Sequence, residues 1–117
     1  MKVRLKLILL DDHDLPFIGK GTVRLLQGIE RLGSINKSAK EMDMSYVKAL
    51  KLIRKVETCL GGKILKTKIG GLDHGGAELT PLAVKILELF TSYEAKVESF
   101  ALEQFEQIKE HLENLGK

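Results

Sequence analysis

The stretch from Gly33 to Gly62, GSINKSAKEMDMSYVKALKLIRKVETCLGG, holds two helix openings between two glycine helix stops. Ser34 offers a hydroxyl that caps a short helix, about Ile35 to Met42, although Lys37 at the third helical position leaves it without a capping box. Asp43 and Met44 interrupt the chain for only a few residues before Ser45, a second capping hydroxyl, opens a longer helix. That helix is expected to run to about Leu60, where Gly61 and Gly62 end it. Within it Ala49, Ile53, Val56 and Leu60 share a face expected to pack inward, while Lys48, Lys51 and Lys55 share a different face. Two helices joined by so short a turn form a helix-turn-helix candidate.

Upstream, Val23, Leu25, Leu26, Ile29 and Leu32 recur at helical spacing and predict a first helix from about Thr22, stopped by Gly33. Pro16, Gly19 and Gly21 are expected to hold off its start. Before them Val3, Leu5 and Leu7 alternate with Arg4, Lys6 and Ile8, the pattern of a half-buried strand ending in the turn-rich Asp11, Asp12, His13, Asp14. Downstream, Lys63 to Ile69 and Ala77 to Thr80 are two extended runs separated by four glycines in seven residues, Gly70 to Gly76. A hairpin with a glycine-rich tip follows. Helix-turn-helix and then hairpin is the element order of a winged helix, so the fold class expected is mainly α with small β.

Thr80-Pro81 is a helix opening, hydroxyl cap followed by proline at the first helical position. No Gly or Pro follows until Gly116. Ile86, Phe90, Tyr93, Val97 and Phe100 repeat every four or three residues; after a one-residue shift Ala101, Phe105, Ile108 and Leu112 do so again. At about 1.5 Å per residue this is a helix of roughly 50 Å. A winged domain of residues 1–80 cannot cover that stripe, so residues 81–117 are expected to form a dimerisation helix that pairs with a second copy. The other reading is two shorter helices folded back on each other near Ser92 or Ser99.

Charge is concentrated in the first part of the chain. Residues 1–80 hold 15 Lys or Arg against 9 Asp or Glu, whereas residues 81–117 hold 4 against 7. Between Met44 and Lys68 seven cations face Glu57 alone, the electrostatic footprint of a phosphate-backbone binder. Other classes find little support. One cysteine, Cys59, and three scattered histidines make neither a disulfide nor a zinc site, and fit a reducing cytoplasm. The apolar start is interrupted by Arg4 and Lys6, which argues against secretion or membrane spanning. No P-loop, HExxH, nucleophile elbow or dinucleotide fingerprint points to an enzyme or a cofactor. The acidic cluster Asp11 to Asp14 reads as a solvated turn, not a metal site, and no small-molecule effector site is evident.

These residue types suit double-stranded DNA as the partner. Ser34 and Ser45 present capped, donor-rich helix ends to phosphates. Lys48 can donate to guanine or phosphate, Tyr46 can reach phosphate or stack, and Val47 can meet a thymine methyl. Lys51, Arg54 and Lys55 suit phosphate neutralisation. In the wing Lys66, Lys68 and His74, beside Gly71 and Gly75, allow close approach to the backbone or minor groove. Dimerisation falls to Ile86, Phe90, Tyr93, Val97, Phe100, Phe105, Ile108 and Leu112. The competing reading is a non-enzymatic interaction module that binds a protein or RNA through the basic face and long helix.

Gly33-Ser34-Ile35, Ala39-Lys40, Met44-Ser45-Tyr46, Ala49, Ile53, the doubled glycines Gly70-Gly71 and Gly75-Gly76, and Leu79-Thr80 form a recognisable set. Together they resemble the amino-terminal DNA-binding domain of ModE-type molybdate-responsive regulators, a relative of the LysR-type winged helices. The resemblance covers Phe17 to about Tyr93. It implies a winged helix that dimerises through long helices and places its third helix in the major groove of operator DNA. Two positions depart from the family pattern. Val47 stands where a Lys or Arg commonly follows the Ser-Tyr pair, and Leu50 where a Trp follows the Ala. Molybdate sensing resides in carboxy-terminal domains of that family, and the sequence to Lys117 shows no oxyanion site.

Overall fold

The structure, a computed structural model, describes residues 1–68 and 76–117. Its elements are β1 (Leu9–Leu10), β2 (Pro16–Ile18), α1 (Lys20–Leu32), α2 (Ile35–Glu41), α3 (Tyr46–Leu60), β3 (Leu65–Lys68), β4 (Gly76–Leu79) and α4 (Pro81–Leu115). Three helices open on hydroxyl caps: Ser34, Ser45 and Thr80 accept hydrogen bonds from the amides of Lys37, Lys48 and Ala83. Gly33 and Gly61 stop α1 and α3 at φ 68° and 72°, a left-handed conformation that side chains rarely adopt.

α1, α2 and α3 pack around one core. Leu25, Leu26 and Ile29 of α1 meet Ala39, Ala49, Ile53 and Val56, and each large aliphatic chain so buried contributes roughly 1.5–3 kcal/mol. α1 and α2 approach closely at Gly28. A Cβ there would collide with the Ser38 side chain, whose hydroxyl donates to the Leu25 carbonyl at 2.8 Å. The turn between α2 and α3 passes through Asp43 at φ 51°, and the Met44 amide returns to the Ala39 carbonyl at 2.9 Å.

β3 and β4 form an antiparallel hairpin with Leu65 opposite Leu79 and Lys68 opposite Gly76. Several contacts fix it to the helices. The Ile64 amide donates to the Glu57 carboxylate at 2.9 Å, the Thr80 hydroxyl to the Lys63 carbonyl at 2.7 Å, and the Ala77 amide to the Gly33 carbonyl at 2.9 Å. Glu57, the lone acid of the basic block, thus serves the wing's attachment.

α4 is one unbroken helix, and the break considered near Ser92 or Ser99 does not occur. Ala83, Ile86, Leu87 and Phe90 are buried in the winged core, so the core crosses residue 81. Beyond them α4 projects, and the molecule measures 66 × 29 × 22 Å.

Several expectations need correction. Val3 to Ile8 form no strand: ladder pairing starts only at Leu9, where Pro16–Ile18 supplies a partner, and Val3, Leu5 and Ile8 are exposed. β2 itself went unseen because three residues show no periodicity. α1 starts at Lys20 and includes Gly21, ahead of the expected Thr22. Leu60 is 43% exposed, since the chain turns away at Gly61 and leaves the last residue of α3 uncovered. Among the described residues no helix is long and apolar enough to cross a membrane, and no group of three acidic, His or Cys side chains could hold a metal.

Candidate nucleic-acid interface

The apolar spacing of α3 decides which side chains are free. Ala49, Ile53 and Val56 are buried, so Tyr46, Val47, Lys48, Lys51 and Arg54 are left exposed at the start and outer side of the helix. None of these three cations is in an ion pair among the described residues. Ser45 uses its hydroxyl to cap α3, and Ser34 does the same for α2. The first turn of α3 therefore combines free amides, a positive helix end and one cation, Lys48, with no acid in that turn.

Lys55 differs from its neighbours. Its ammonium lies 2.7 Å from the Asp11 carboxylate, and the two side chains are 32% and 14% exposed. The same Asp11 carboxylate accepts from the His13 and Leu15 amides at 2.8 and 3.0 Å, closing the turn between β1 and β2. The hydrogen bond from Lys55, with those amide bonds, holds the Asp11 carboxyl down to about 2, and Asp11 in return raises the Lys55 ammonium above its ordinary value. Lys55 is thus engaged in joining α3 to the β1–β2 hairpin. The Asp11 to Asp14 segment is a turn with one structural carboxylate, more than a solvated loop.

On the wing, Lys66 is exposed and stands opposite Glu78 in the ladder, while Lys68 lies at the end of β3. Gly71, His74 and Gly75 lie outside the described residues.

The expected dimer stripe divides in two. Ile86 and Phe90 are buried in the chain's own core and are corrected from seam to core, because the winged domain reaches this far along α4. Tyr93, Phe100, Ile108 and Leu112 are exposed, and Val97 and Phe105 are half-buried. Leu82 and Leu89 were missed. With Tyr93 and Phe100 they step by seven, four and seven along one face, and Leu89 and Phe100 are 60% and 62% exposed. The signal was present as a second stripe beside the first, but sequence alone did not tell which one the core would take.

Three helices, a tight α2–α3 turn and a β-hairpin followed by a long helix define a winged helix-turn-helix fold. The chain superposes on Staphylococcus aureus MepR from a MepR–DNA complex with a TM-score of 0.52 and 23% identity, covering 84% of this chain and 76% of that one. In sequence it is 35% identical over 74 residues, 63% of its length, to the transcriptional regulator ModE of Haemophilus influenzae. It is 34% identical over 80 residues, 68% of its length, to the molybdenum-pterin-binding protein MopB of Rhodobacter capsulatus. The chain spans 29% and 30% of those two relatives, and no protein-family model matches it. Sequence and fold agree on a winged helix-turn-helix domain of ModE type.

Proposed function

We propose that this chain is a sequence-specific DNA-binding transcriptional regulator that acts as a homodimer. α3 enters the major groove, with Tyr46, Val47 and Lys48 at base edges and Lys51 and Arg54 on phosphates. The wing, with Lys66, Lys68 and on sequence grounds Gly71, His74 and Gly75, lies near the backbone or minor groove. Ser34 and Ser45 hold the helix ends toward phosphate. The observation that carries this reading is the exposed, acid-free outer face of α3, whose cations are committed to no carboxylate. The names of the ModE and MepR relatives point the same way.

Pairing rests on the projecting part of α4. Each large side chain buried at a seam contributes roughly 1.5–3 kcal/mol. Four from each copy suffice to offset an association cost of about 4–15 kcal/mol. A dimer then carries two α3 helices able to meet successive major grooves about 34 Å apart. Selection of bound sequences from a random duplex pool tests the proposal. Enriched sites with two inverted half-sites about one helical turn apart support it; recovery of no enriched motif sinks it.

A further inference from the structure

A cleft of about 490 Å³ opens between the β1–β2 hairpin, the start of α1, the α2–α3 turn and the inner edge of α3. Its volume lies in the range of small-molecule sites, about 300–1,000 Å³. Its walls are largely apolar, with Phe17, Met44 and Leu52 among them, and Lys6, Lys20, Arg24 and Lys48 stand round it. None of those four cations is in an ion pair among the described residues.

The start of α1 forms one wall. Its N-cap is Gly19, which supplies no side-chain acceptor, and the first amide to find an intrahelical carbonyl is that of Val23. The amides of Lys20, Gly21 and Thr22 therefore remain available to an anion at the positive helix end. Thr22 supplies an independent sign. It is only 4% exposed, yet its hydroxyl has no hydrogen-bond partner among the described residues. No fully sealed side-chain polar atom lacks a partner, so this hydroxyl keeps an opening, and Thr22 lines the cleft. Through that opening the hydroxyl can donate to, or accept from, a polar group held in the cleft.

We infer that this cleft binds a small organic anion, its carboxylate, sulfonate or phosphate head against the start of α1 and its apolar body on the Phe17, Met44 and Leu52 wall. A duplex phosphate would use the amides and cations but would leave the apolar wall unused. Because Lys48 borders the cleft and also the α3 face assigned to DNA, occupancy and duplex binding should oppose each other, reciprocally. That coupling, unlike the binding itself, rests on the proposed function.

The probe is anilinonaphthalene sulfonate, titrated into the full chain without DNA while backbone amide resonances are followed. Saturable shifts at Gly21 and Thr22 are expected. Lys20→Gln with Arg24→Gln should weaken binding about tenfold or more, as loss of charge-assisted hydrogen bonds implies. Thr22→Val should weaken it severalfold without lowering the unfolding midpoint, and Lys63→Gln, remote from the cleft, should change nothing. Shifts confined to α4, or inorganic sulfate binding as tightly as the probe, would overturn the inference. So would Gly21 and Thr22 responding to duplex but not to the probe, which makes the cleft a backbone contact. If the probe binds and no duplex does, the ligand site stands and the DNA reading falls.

Discussion

α4 before Thr91 and α4 after it are one continuous helix with one kind of apolar repeat, yet they meet different surroundings. Ala83, Ile86, Leu87 and Phe90 are sealed into the winged core, whereas Tyr93, Phe100, Ile108 and Leu112 are left to solvent. Periodicity alone says that a helix has an apolar face; it does not say what covers it. The winged core reaches along α4 as far as Phe90, and a second copy is proposed to cover the remaining stripe. The two halves should therefore fail in different ways.

The largest effect is expected in the buried half. Phe90→Ala removes a core aromatic and should cost about 3–5 kcal/mol, enough to unfold most of a small domain, as read by a denaturant midpoint. Phe100→Glu with Ile108→Glu, in the projecting half, should leave that midpoint at low protein concentration unchanged and convert a dimer to a monomer in sedimentation. If the charged pair unfolds the chain, the exposed half belongs to the core after all. If sedimentation shows the unmodified chain to be a monomer at micromolar concentration, the paired-helix account fails.

A smaller effect separates packing from propensity. Gly28→Ala adds a good helix former to α1 but drives its methyl into Ser38, where Ser38 is held by the Leu25 carbonyl. A net loss of about 1–3 kcal/mol in unfolding free energy is expected; a gain would mean that α1 and α2 separate freely.

The smallest effect is at Asp11. With its carboxyl held near 2 in the folded chain against 3.8 ordinarily, its contribution is complete above about pH 4 and disappears as pH falls toward 2. Asp11→Asn keeps an acceptor for the His13 and Leu15 amides but releases Lys55. The urea midpoint should fall slightly at neutral pH and lose part of its acid dependence. Duplex affinity at low salt should rise modestly, because one more ammonium becomes free; lowered affinity would assign Lys55 a purely structural place.

How much of this was legible beforehand follows from how local each signal is. α3 could be read because its cap, its stop and its four-three spacing all lie between Ser45 and Gly61. The wing could be read from its flanking glycines, and α4 from Thr80-Pro81. The β1–β2 hairpin could not, since a two-residue strand paired with Pro16–Ile18 has no periodicity to show. Neither could the Lys55–Asp11 pair, formed across 44 positions, or the cleft, whose walls come from residues between Lys6 and Lys55. The split in α4 was hidden for the same reason: Leu82 and Leu89 lie on the face that three-dimensional packing leaves open.

The central claim is that the outer face of α3 neutralises duplex phosphates, and salt dependence of duplex affinity tests it most directly. Lys51, Arg54 and Lys66 from each of two copies make six phosphate contacts and should give a log–log slope of about −5, each neutralised phosphate contributing about −0.9. Lys51→Ala should flatten it. A slope between zero and about −1 in the unmodified chain would contradict the account.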